Sequence, residues 1–253
     1  MKLVETLIVA FSMFSALPMP HLVWTKDNLR YALCAFPLVG AVIAIACRGW
    51  MLLSAFLLLP ALLRGAGLCL IPVLLTGGLH LDGYADTSDA LASHGDIARR
   101  QEILKDPHIG SFAVIRLCCW FAADLALWSA LPEAGLAALL GIFCLPRALS
   151  ALALAVFPLR KGSGLARSFA DASDRNTVKI FSALLSALLA AVLLLADAFP
   201  AAVAAAAVFL RYRQVAEKEF DGVSGDLAGW FVQKAELWML FALCLWQFVE
   251  QRI

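Results

Sequence analysis

Asp82, Asp86 and Asp89 stand at spacings of four and three within the run Gly77-Gly78-Leu79-His80-Leu81-Asp82-Gly83-Tyr84-Ala85-Asp86-Thr87-Ser88-Asp89-Ala90-Leu91. At about 100° per residue, a helix carries the three carboxylates inside an arc of about 60°. Like charges at this spacing repel, at a cost of a few tenths of a kcal/mol for each pair. A divalent cation turns that repulsion into coordination, and hard oxygen ligands with open positions are what Mg²⁺ takes when it also holds phosphate. A solvated helix face, with Asp82 as its cap, is the competing reading. Three acids on one stripe, beside a Gly-Gly break at the edge of an apolar run where charge is expensive, favour the metal.

Other polar residues extend the pattern. Lys105-Asp106-Pro107-His108 closes the loop that follows the acidic stripe, so that Asp106 could return to the metal and Lys105 could face phosphate. A proline-marked turn capped by Asp106 is the structural alternative. Asp226, in Gly222-Val223-Ser224-Gly225-Asp226, is a fourth candidate acid and also a candidate N-cap for the last apolar run. Arg64, Arg116 and Arg147 lie inside apolar runs, where a guanidinium must find an acid, a polar cavity or the membrane edge. Arginine is also the natural fork for phosphate oxygens. The loop Arg160-Lys161-Gly162-Ser163-Gly164-Leu165-Ala166-Arg167 combines cations with glycines that let backbone N–H groups approach an anion, without Walker A spacing.

These residues need a scaffold, and composition says which kind. The 253 residues are 62% hydrophobic and only 15% charged, against about 45–50% and 25% in soluble domains. An ordinary soluble enzyme is excluded, and a net charge of +1 gives no support to nucleic-acid binding. Apolar runs at 3–17, 31–47, 50–76, 109–131, 134–157, 178–198, 199–212 and 230–249 predict an all-α, polytopic helical bundle in the lipid bilayer, one domain over 1–253, with six to eight crossings. Loops at 20–30, 77–108, 158–179 and 211–229 hold thirteen of the 20 basic residues. By the positive-inside rule these loops, and the chemistry with them, face the cytoplasm. The seven cysteines lie in apolar stretches with no metal-binding spacing and are read as packing residues.

Residues 77–91 resemble the signature of the adenosylcobinamide-GDP ribazoletransferase, or cobalamin synthase, family. Phe14-Ser15-Ala16-Leu17-Pro18-Met19-Pro20 is similar to the family's N-terminal segment, and Lys105-Asp106-Pro107-His108-Ile109-Gly110-Ser111-Phe112 to its K-D-P-x-x-G-x-F stretch. Arg147 falls in its arginine-bearing helix, Gly162 to Phe169 resemble its G-L-G loop, and Gly222 to Asp226 its G-x-T-G-D. The chain departs from the pattern at Ser224, which keeps the hydroxyl of a threonine, at Ala166 in place of a glycine, and at Gln233 in place of an acid, with Glu236 three residues on.

The resemblance implies a bacterial inner-membrane transferase of substituted phosphate groups, dependent on one or two Mg²⁺ ions. It implies attack by the ribose 5′-hydroxyl of α-ribazole, or by α-ribazole 5′-phosphate, on the cobinamide-linked phosphorus of adenosylcobinamide-GDP. GMP leaves, and adenosylcobalamin or its phosphate is formed. On this reading Asp82 and Asp86 are metal ligands, and Asp89 is a third ligand or the base; Asp106 and Asp226 are further ligands. His80, Lys105, Arg116, Arg147, Arg160, Lys161, Gly164, Arg167 and Ser224 make the substrate- and phosphate-binding set. Self-association is left open. Two other readings exist: an aspartate-rich intramembrane prenyltransferase, which should show a second D-x-x-x-D, and a secondary transporter, which should show an internal repeat. Neither feature is visible.

Overall fold

The computed structural model describes residues 2–160 and 165–252, at 2 and 165–168 the backbone only, and among them twelve helices. In chain order these are α1 (Lys2–Phe14), α2 (Lys26–Leu29), α3 (Ala32–Phe56), α4 (Ala61–Thr76), α5 (Leu79–Ala92), α6 (Ile97–Ile103), α7 (Ser111–Ala130), α8 (Leu136–Val156), α9 (Leu165–Ala172), α10 (Arg175–Leu195), α11 (Phe199–Glu219) and α12 (Gly225–Glu250). Helices α3, α7, α8, α10 and α12 are long and apolar enough to cross a bilayer, and α4 with α5 makes a sixth if the bent pair counts as one broken span. The chain is thus an all-α, polytopic membrane protein.

Some expected spans differ in detail. The runs at 31–47 and 50–76 divide elsewhere, because α3 continues through Arg48 and Gly49 to Phe56. Arg48 does not end the helix: its guanidinium leaves the apolar zone by pairing with Glu133 at 3.0 Å and donating to the Ala134 carbonyl. The run at 3–17 is helical only to Phe14. The run at 199–212 continues as α11 to Glu219, and its second half carries Arg211, Arg213 and Lys218, too much charge for hydrocarbon.

Helix α8 is the central post, packed between α3 and α10 and touching α11 and α12. A β-carbon on Gly40 of α3 would overlap the Phe143 carbonyl of α8, so the two backbones meet directly at that point. Outward residues such as Leu184, Leu188 and Leu195 remain exposed, as a lipid-facing surface requires. A smaller cluster of Val9, Ala10, Leu29, Ala32, Ala35 and Phe169 fastens α1, α2 and α9 to the start of α3.

The antiparallel helices give the bundle two ends. At one, Arg48, Arg64 and Gln247 bond to residues 131–134, with Arg64 reaching the Leu131 carbonyl at 2.7 Å. At the other, the basic loops bind one another. Arg100 pairs with Glu219 at 2.7 Å, Gln101 donates to the Phe220 carbonyl, Arg30 pairs with Asp174, and residues 158–160 bridge to Val223. The four loops grouped by their charge therefore share one end.

At that same end the chain turns by 94° between α4 and α5. Gly77 and Gly78 make the turn with φ of 63° and 78°, the left-handed region in which a side chain would be strained. Helix α5 then lies against α12 and α7.

Candidate active site

The turn delivers the acidic stripe to the end of the bundle. Helix α5 approaches α12 closely because both are glycines at the crossing. A β-carbon on Gly83 would lie 2.6 Å from the Asp226 carbonyl, and one on Gly229 would lie 3.0 Å from the His80 carbonyl. Two acids far apart in sequence are thereby brought together. Asp86 is half-buried, with Asp82, Asp226 and Asp89 as its like-charged neighbours. Among the described residues, no lysine or arginine is ion-paired to any of these four carboxylates. Arg160 is the cation that acts on Asp226.

Asp89 has a second task. It accepts a hydrogen bond from Ala113 N–H at 3.3 Å and lies over Gly110, where a β-carbon would collide with its carboxylate. Gly110 precedes α7 and offers no side-chain cap of its own, so Asp89 caps α7 from a neighbouring helix. Asparagine caps equally well, so Asp89→Asn is expected to keep the melting temperature of the detergent-solubilised protein. Asp89→Ala should lose about 1 kcal/mol; equal melting of all three proteins would remove the capping role.

Asp82 and Asp89 are separated by about 10 Å of helix rise, with Asp86 between them. Among the described residues no three His, Cys, Asp or Glu side chains converge as a ready metal cage. The donor set still fits magnesium, which is usually held by one or two carboxylates and completed by substrate phosphates and water. Asp82 and Asp86, one turn apart and without an ion-paired cation among the described residues, are the α5 pair that could fill that role.

The remaining expected site residues fall in several places. Asp106 is exposed and bound to its own loop: it accepts from His108 N–H at 3.0 Å and pairs with the His108 ring at 2.7 Å. Those contacts hold its carboxyl below the usual carboxylate range, and its partner is thus His108 rather than the α5 acids. Lys105 is exposed in the same loop, and Arg116 is exposed on α7, where its charge acts on Tyr84 and Lys234. Ser224 is buried as the N-cap of α12, accepting from Leu227 N–H and donating to Asp226 at 3.5 Å. Arg147 is fully buried, bonded to Glu236 and to the Phe143 carbonyl. Glu236 was legible only as an acid displaced from the family position. Gln233, at that position, is buried, with its carbonyl receiving Trp120 N–H. Lys161, Gly164 and the side chain of Arg167 lie outside the described residues.

Among the described residues, Arg160 is the clearest candidate to bind an anion. It is buried, and its Nε and Nη1 have no partner among the described residues. It lines a cavity of about 530 Å³ together with His80, Asp82 and Asp226. A second, mainly apolar cavity of about 660 Å³ opens beside Gly77, Gly78, Ile109 and Phe121. Asp82 borders both. Carboxylates without ion-paired cations among the described residues, next to a buried guanidinium with free donors, can position phosphate and neutralise the charge that develops on it.

Comparison with known proteins gives the family. The sequence pattern of a family described as cobalamin-5-phosphate synthase matches residues 6–244. The chain is similar to a protein named adenosylcobinamide-GDP ribazoletransferase from Lachnoclostridium phytofermentans, with 38% identity over 240 residues, 94% of this chain and 92% of that one. A protein of the same name from Geobacillus kaustophilus is 34% identical over 245 residues, covering 91% and 92% of the two chains. Another, from Pseudomonas fluorescens, is 36% identical over 237 residues, covering 87% and 90%. No solved structure matches.

Proposed function

The chain belongs to the cobalamin-5-phosphate synthase family, and from that premise we propose that it transfers the adenosylcobinamide-phosphate group of adenosylcobinamide-GDP to a ribose hydroxyl of α-ribazole. The observation that carries this reading is the group Asp82, Asp86 and Asp226, without ion-paired cations among the described residues, beside the unpartnered donors of buried Arg160. Membership of this family displaces the prenyltransferase and transporter readings.

A new bond forms between the acceptor hydroxyl oxygen and the cobinamide-linked phosphorus. The bond from that phosphorus to the GMP oxygen breaks, and GMP leaves with its electron pair. The hydroxyl proton passes to Asp226, the carboxylate of the cavity lining that is not assigned to magnesium. An acceptor that arrives as its 5′-phosphate already carries an ester at the 5′ oxygen. A single site that takes both acceptors therefore uses another ribose hydroxyl, in place of the 5′-hydroxyl expected from the resemblance.

Magnesium held by Asp82 and Asp86 would offset negative charge on the transferring phosphoryl oxygens. Arg160 holds a phosphate oxygen through Nε and Nη1 and, by its charge, keeps Asp226 from repelling the incoming diphosphate. The reaction end faces the cytoplasm of the bacterial inner membrane, a reading supported by the basic loops gathered there.

The test uses full-length protein in nanodiscs with adenosylcobinamide-GDP, following GMP release. Release is expected only when α-ribazole and a divalent cation are both present, and chelation should stop it. GMP formed without α-ribazole, or undiminished by chelator, would contradict the proposal.

A further inference from the structure

The cavity of about 530 Å³ has a polar mouth and an aromatic interior. Asp82, Asp226 and Arg160 stand at the mouth, and Phe14, Trp24, Phe36 and Phe169 form the walls. The rings brace one another: Phe14 lies 4.2 Å from Phe36, Trp24 meets Phe169 edge-on at 5.9 Å, and His80 stacks on Phe36 at 5.5 Å. Besides Nε and Nη1 of Arg160 at the mouth, two buried polar atoms of the lining have no partner among the described residues, Nδ1 of His80 and Oγ of Ser150; the two residues are 4% and 1% exposed. Buried polar atoms rarely stay unpaired without a ligand or water to receive them.

We infer that this cavity is the acceptor site: it takes the base of α-ribazole between the aromatic walls and directs the ribose toward Asp82 and Asp226. The inference rests on the transferase reading given above. Three properties of the cavity select the occupant. Its volume suits a nucleoside-sized ligand, whereas a corrin ring with its side amides is too bulky to enter. Flat apolar walls suit a planar base. Apart from exposed Ser12 and Trp24 and the charged groups at the mouth, its described lining offers one buried ring nitrogen and one buried hydroxyl, too few groups for the donor-rich edge of guanine, whose polar atoms would be left unpaired. The base of α-ribazole is a dimethylated benzimidazole, whose single free ring nitrogen accepts one hydrogen bond. Ser150 Oγ–H donates to it, and His80 orients the ring from beside Phe36. Ser150 thus determines acceptor specificity, and guanosine is excluded from this cavity.

The experiment measures binding separately from turnover, with the full chain in nanodiscs. Equilibrium dialysis without adenosylcobinamide-GDP should show α-ribazole bound at least tenfold more tightly than guanosine. Ser150→Leu, which fills the cavity, should weaken α-ribazole binding and raise its KM at least tenfold while leaving the KM for adenosylcobinamide-GDP within twofold. Ser150→Ala, which adds no volume, should give a smaller loss of about threefold to tenfold. Equal binding of the two nucleosides, or a Ser150→Leu effect on the KM for adenosylcobinamide-GDP instead, overturns the inference while leaving the transferase reading intact. Binding of α-ribazole that Ser150→Leu abolishes, in a protein that releases no GMP, upholds the site and removes the reaction.

Discussion

Asp86→Asn is expected to lower the rate of GMP release at saturating substrates by at least about 100-fold, with no loss of thermal stability. The two halves of this expectation have one cause. Asp86 is surrounded by Asp82, Asp89 and Asp226 and has no ion-paired cation among the described residues. Its charge is unfavourable for the folded protein on its own and becomes favourable only when a metal and phosphate arrive. Asparagine keeps the volume and removes the charge, so the mutual repulsion falls while the metal site is lost. Such opposition between stability and activity is common where charge is held for function. Single-turnover kinetics and melting in detergent, measured on one preparation, check both halves. A rate within about threefold of wild type would remove Asp86 from the site.

Glu236→Ala should act in the opposite sense, through the fold. Glu236 is the partner of Arg147 in the interior between α8 and α12, with side-chain exposures of 7% and 0%. Removing one member of such a pair leaves a buried charge uncompensated, a loss of about 3–5 kcal/mol. The double variant Arg147→Met/Glu236→Met removes both charges and should recover most of that loss, because a buried pair is often replaceable by apolar residues of similar size. The comparison also decides the role of Arg147. Its guanidinium lies 5.8 Å from the Phe36 ring centroid, on which His80 also stacks, so it supports the cavity wall from behind. If the double variant melts normally and keeps at least a third of the activity, Arg147 is structural. A folded double variant without activity would make it a phosphate ligand.

The acidic stripe was legible because a helix repeats every three to four residues, and the spacing of Asp82, Asp86 and Asp89 is local information. The gathering of basic loops at one end was legible for a similar reason, since Lys and Arg are counted along the chain. What distinguishes Asp89 from its two neighbours depends on the start of α7 arriving beside it, and no local spacing encodes that. Arg147 and Glu236 are 89 residues apart, so an arginine inside an apolar run could not be assigned to an acid or to phosphate from sequence. The division of the early spans was obscured by Arg48 and Gly49, which look like a boundary until Glu133 is seen to receive the charge. The aromatic cavity was hidden most completely, because Phe14, Trp24, Phe36 and Phe169 come from four segments and read individually as ordinary apolar residues.

Helix α4 has 16 residues, about 24 Å of rise, and ends at the two glycines against a hydrocarbon layer of about 30 Å. A span that began at one face of such a layer would leave the acids that follow short of the other face, a mismatch that local thinning of the membrane would close. In that geometry acyl-chain length would be a variable of the reaction end, because the thickness of the membrane would set how easily water-soluble partners reach Asp82.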